Sequence, residues 1–178
     1  MSNTRQELIE HLTPPPGIVM PPYPAARDRL YRYSLVAIAL CAAAEGMALI
    51  TGRVGWARGI EGAFALSVLW ASATFLVWLK TWRHLVRALG VGGFLLWPFW
   101  AIGGWALSLA ASAIMAAKET HCFHFHAGRV IPWYSLALGL AMLAQAPQIA
   151  LGIGWVALAW LWGWLAWGRS QLPLFEVS

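Results

Sequence analysis

The chain has 178 residues, of which 60% are hydrophobic and 11% charged, with a formal net charge of +5. A soluble domain runs at about half apolar and about a quarter charged, so this chain has too few charges to cover its apolar surface as a soluble globule. The cations are scattered, with no basic block to follow a nucleic acid, and two cysteines, Cys41 and Cys122, exclude a disulfide framework. The composition predicts an all-α, polytopic helical membrane bundle with the lipid bilayer as its first partner.

Residues 1–32 read as a polar, proline-bearing N-terminal segment. Thr4 and Glu7 have capping-box spacing, Leu8, Ile9 and Leu12 share one side of a short helix, and Pro14, Pro15 and Pro16 end it. Pro21, Pro22 and Pro24 keep the following chain extended. A docking arm and a plain lead-in both fit this segment, and the lead-in is the simpler. No secretory signal precedes the first apolar run, so that run is expected to act as its own insertion signal.

Five spans are expected within a bundle over residues 33–168, near 33–51, 60–80, 90–117, 131–146 and 149–168. A connector rich in tryptophan and cations, residues 80–87, suits the headgroup layer. The third stretch is longer than a span needs and holds Pro98 near its middle, with Gly92, Gly93, Gly103 and Gly104 around it. One kinked helix is expected there in preference to a short re-entrant piece followed by a full span, since splitting it leaves a piece too short to cross. Pro132 is placed in the first turn of the fourth span, where proline is tolerated. Gln145, Pro147 and Gln148 mark a hairpin, and residues 169–178 form a short tail. With five spans, Arg5, Arg27, Arg29, Arg32, Lys80, Arg83 and Arg87 lie on the N-terminal side, against Arg53, Arg58, Lys118, Arg129 and Arg169 opposite. This split favours a cytoplasmic N-terminus.

Soluble-enzyme signatures are missing from the sequence: there is no GxSxG, GxxxxGK, HExxH or haem-attachment CxxCH. The loop over residues 118–129 stands out instead, with His121, Cys122, His124 and His126 within six positions. Imidazole and thiolate are the usual ligands of zinc and copper, which makes Cys122, His124 and His126 the candidate metal ligands. An interfacial loop that binds nothing is the plainer reading, and no cofactor is required by the sequence.

Three acidic residues, Glu45, Glu61 and Glu119, lie in or beside the spans, where a carboxylate is costly and needs a partner. In a five-span chain the first and third loops emerge on one side, so these carboxylates and the histidine loop are expected in one leaflet. They would form a metal or quinone-headgroup site or a proton-carrying cluster, unless Glu45 simply pairs with Arg53 or Lys118, the preferred reading. Trp97, Trp100, Trp105 and Trp133 read as interface-belt residues, and Trp160, Trp162, Trp164 and Trp167 as spread around the last helix.

At Lys118-Glu119 and Cys122-Phe123 the chain resembles a family of uncharacterised bacterial integral membrane proteins, also found in cyanobacteria. The resemblance covers about residues 30–168 and implies a small helical protein of the bacterial inner membrane, with no activity to carry over. His121, His124 and His126 have no counterpart in that pattern. The expected function is a non-enzymatic accessory, assembly or structural subunit, with other membrane subunits as partners. The alternative is a metal- or redox-cofactor-binding membrane protein built on the 118–129 loop, with a transition metal as its cofactor.

Overall fold

The computed structural model describes residues 16–19 and 21–177, which form six helices. These are α1 (Ala25–Ile50), α2 (Val54–Thr74), α3 (Lys80–Leu96), α4 (Ala101–Phe123), α5 (His126–Leu143) and α6 (Gln148–Ser170). The short helix expected around residues 4–12 lies outside the described residues. The all-α class is as expected, but the count is not. Three helices, α1, α4 and α6, are long and apolar enough to cross a membrane, in place of about five. At about 1.5 Å per residue, the 26 residues of α1 reach about 39 Å, against a hydrocarbon core of about 30 Å. The 17 residues of α3 reach about 26 Å, and their first half carries Lys80, Arg83 and Arg87.

The stretch at 90–117 is where the helix count rises from five to six. It is not one kinked helix, because the chain reverses at residues 97–100 and makes two. Pro98, which has no N–H to donate, sits in this turn, and the Phe99 and Trp100 N–H groups both donate to the Leu96 carbonyl at 3.1 and 2.8 Å. Two glycines give the turn its room. A Cβ on Gly104 would lie 2.8 Å from the Trp97 nitrogen, and one on Gly103 would collide with the Trp100 ring. The residues that look like weak points of a long helix are the parts of a helical hairpin.

This extra reversal changes the topology. The helices alternate in direction, so the start of α1 and the ends of α2, α4 and α6 meet at one end of the bundle. The Tyr23 hydroxyl donates to the Thr74 carbonyl at 3.0 Å, and Arg169 reaches Asp28 at 2.7 Å. Both described chain ends lie there too, since Tyr23 and Val177 exchange two backbone hydrogen bonds of 2.9 Å in an isolated antiparallel bridge. The expectation that Glu45, Glu61 and Glu119 share one leaflet is therefore overturned. Glu45 and Glu61 lie toward the α1–α2 turn, and Glu119 toward the opposite end.

Small residues let the helices approach. α3 turns Arg83, Val86, Gly90 and Gly93 inward, at the spacing of one helical face. Gly90 abuts Ser72 of α2, and a Cβ on Gly93 would lie 3.1 Å from the Gly104 carbonyl of α4. Gly46 of α1 and Gly152 of α6 face each other so closely that a Cβ on either would sit 2.7–2.8 Å from the other's carbonyl oxygen. In the centre, Phe64, Trp105 and Trp155 form a ring triad with centroids 4.4–5.2 Å apart. Trp105, expected in an interface belt, is thus a core residue. The tryptophans of α6 divide by face: Trp155 and Trp162 are buried, while Trp160, Trp164 and Trp167 are exposed with Ile149 and Ile153.

The last hairpin matches expectation, with Gln145 in a left-handed conformation (φ 54°) and Pro147 capping α6. α5, however, starts at His126, earlier than expected, which moves Pro132 from its first turn to its second. The start is early because His124 ends α4 in the left-handed region (φ 57°), its N–H on the Thr120 carbonyl at 2.9 Å, and the chain turns within two residues.

Candidate functional site

At the end where the chain termini meet, three helices bring charged side chains into the protein interior. Asp28 lies in the first turn of α1, where the helix dipole favours a carboxylate, and is 1% exposed. Arg169 lies in the last turn of α6, where the same dipole favours a cation, and is 2% exposed. Glu119, in the penultimate turn of α4, is fully buried. Arg169 sits between the two carboxylates. Its Nη2 donates to Asp28 Oδ1 at 2.7 Å, and its Nε lies 3.4 Å from Glu119 Oε2.

Arg169 Nε and Glu119 Oε2 face each other as an ion pair without a hydrogen bond, while the other oxygen of each carboxylate is met by neighbours. Asp28 Oδ2 accepts from Arg32 Nε at 3.0 Å, one helical turn on, and from the Phe175 N–H at 3.1 Å. Glu119 Oε1 accepts from Lys118 Nζ at 3.0 Å and from the Tyr31 hydroxyl at 3.1 Å. Arg32 also donates to the Leu172 and Pro173 carbonyls at 2.7 and 2.6 Å, which ties the short tail back onto α1. Such a network is strongly interdependent, because removing one partner leaves a buried charge uncompensated.

Aromatic rings surround the cations. The Lys118 ammonium lies 5.0 Å from the Phe123 centroid, 5.7 Å from Tyr31 and 5.8 Å from Phe75. The Arg169 guanidinium stands over the same Phe123 ring, 4.1 Å from its centroid. Beside them opens a cavity of about 390 Å³, walled by Phe75, Leu76, Val77 and Ile114 and reached by Lys118 and Cys122. Tyr23 closes one side. Burial, and then the charge of Asp28, hold its phenol well above the ordinary tyrosine range.

The expected site residues divide between places. Cys122 lines this cavity, whereas His124 and His126 line a separate, more polar pocket with Thr120, Phe125 and Arg129; His121 borders both. Among the described residues no group of three or more His, Cys, Asp or Glu is placed to hold a metal ion. The left-handed turn at His124 accounts for this, since it sends Cys122 to one side of the α4–α5 corner and the two histidines to the other.

Glu45 is 3% exposed and forms no ion pair with Arg53 or Lys118, contrary to the preferred expectation. Lys118 is at the far end of the bundle, paired with Glu119, and Glu45 Oε2 has no hydrogen-bond partner. Glu61 accepts from the indole Nε1 of Trp97 at 3.2 Å. Asp28, Tyr31, Arg32 and Arg169 were not foreseen as site residues. The i,i+4 spacing of Asp28 and Arg32 was a usable signal; nothing local marked Arg169.

Lys118, Glu119 and Phe123 belong to the network and its ring cage, and Cys122 to the cavity wall. No family model, no curated protein and no solved structure is similar enough to this chain to count as a match.

Proposed function

We propose that this chain is an integral membrane protein whose six helices cross or enter the bilayer, with the ion-network end and both described chain ends facing the cytoplasm, and that it serves as a non-catalytic accessory or assembly subunit. The observation that carries the orientation is the charge asymmetry between the ends. Arg27, Arg29, Arg32, Lys80, Arg83, Arg87, Lys118, Arg129 and Arg169 lie toward the network end, and only Arg53 and Arg58 toward the other among the described residues. The connections are short, the situation in which cations set orientation. Six helices, an even number, concentrate at one end charges that a five-span layout would distribute nearly equally.

The non-catalytic part is supported by how the carboxylates are used. Asp28 and Glu119 are enclosed and charge-paired, the condition of groups that fix structure more than of groups that exchange protons with a substrate. The subunit part is supported by the exposed aromatic face of α6, where Trp160, Trp164 and Trp167 offer a large apolar contact surface. Reporter fusions at the two termini should both give cytoplasmic signals, and a Gly55→Cys variant should react with an impermeant maleimide only from outside. Termini on opposite sides would overturn the topology. After gentle extraction, native sizing should show a species larger than the single chain, and a solitary chain would overturn the subunit role.

A further inference from the structure

The ion network does not need a cavity beside it, yet one is present and has two distinct faces. Most of its wall is apolar, built by Phe75, Leu76, Val77 and Ile114. Its charged lining is Asp28, Arg169 and Lys118, and of these Lys118 is the most open, its side chain 14% exposed in the ring cage of Tyr31, Phe75 and Phe123. Leu79 and Trp82 line the cavity and are also exposed, so they mark its mouth. Tryptophan beside the cations of α3 is the composition of the headgroup layer, from which an amphiphile enters.

Charge decides the class of ligand. Asp28 and Glu119 are met by Arg32, Lys118 and Arg169, an excess of one positive charge; Arg32 lies off the cavity wall, where Lys118 and Arg169 stand against the single carboxylate of Asp28. A desolvated surplus cation is costly, and one anion would complement it. The volume of about 390 Å³ lies near the lower end of the roughly 300–1,000 Å³ of ligand pockets, which suits one chain better than two. We propose that this cavity binds a single-chain amphiphile carrying one negative charge, with its head on Lys118 and its chain along Phe75, Leu76, Val77 and Ile114. The assignment does not depend on which side of the membrane this end faces.

Cys122 on the cavity wall supplies the readout. A Cys41→Ser variant leaves Cys122 as the sole thiol, and its alkylation by N-ethylmaleimide is followed in nanodiscs of zwitterionic lipid. Dodecanoate at ten times its Kd should slow the reaction by about tenfold, through simple occupancy. Dodecyltrimethylammonium and dodecanol, of equal chain length, should leave the rate unchanged. Lys118→Met should abolish the protection. Ala117→Phe, which places a ring on the cavity wall without removing any charge of the network, should abolish it as well. No protection, equal protection by all three amphiphiles, or protection that survives Lys118→Met would overturn the proposal. Protection that follows from an anionic phospholipid disc alone would assign the cavity to a membrane lipid and overturn the single-chain ligand.

Discussion

The two ends of the bundle hold carboxylates of nearly equal burial in very different company. At the network end Asp28 and Glu119, 1% and 0% exposed, are surrounded by Arg32, Lys118, Arg169 and the Tyr31 hydroxyl. At the other end Glu45, 3% exposed, has no ion pair, and Glu61 is held by an indole N–H. Burial alone therefore does not identify a structural charge. What distinguishes the ends is whether a negative charge is required by its neighbours: removing it at one end strands cations, and removing it at the other strands none.

Arg169→Met should have the largest effect, since it leaves two buried carboxylates without their shared cation. A loss of about 3–5 kcal/mol in unfolding free energy is expected, read from reversible unfolding in mixed micelles. Adding Asp28→Asn and Glu119→Gln to that variant should recover much of the loss. A single-variant loss under about 1 kcal/mol would erase the distinction between the ends. Tyr31→Phe comes next. Glu119 keeps Lys118 and loses one donor, which should cost about 1.5–3 kcal/mol in the same assay. An unchanged transition would show that Lys118 alone satisfies that oxygen. Glu45→Gln should be smallest, within about 0.5 kcal/mol of the parent or more stable, because no cation loses a partner. A large loss there would reveal a dependence on that charge and make the two ends alike.

Fold class was legible from composition, and most helices from the length of their apolar runs. The reversal at residues 97–100 was not. Pro98 with Gly103 and Gly104 is compatible with a kink and with a hairpin, and the choice is made by packing, by whether Trp97 and Trp100 can fold against the glycines. That single ambiguity moved everything after it to the opposite end and hid the charge asymmetry. The site suffered differently. Glu119 and Cys122 stood out through their local sequence, but the residues completing the network come from three helices and a tail. Asp28 reads as part of a basic flank, and Arg169 as the start of a polar end. The histidines drew attention by density along the chain, yet the left-handed turn at His124 places His124 and His126 in a different pocket from Cys122.

The Asp28–Arg169 contact joins residues 141 positions apart. At about 5–20 residues per second, a ribosome needs roughly 7–28 s to travel from one to the other. For that interval α1 is already made while the cation that completes its carboxylate does not yet exist. Arg32, one turn away in the same helix, is present from the start and holds Asp28 at 2.8 Å. Its pairing with Asp28 does not wait for α6, which later adds the second cation. A chain lacking residue 169 would leave Glu119 without the guanidinium it shares with Asp28.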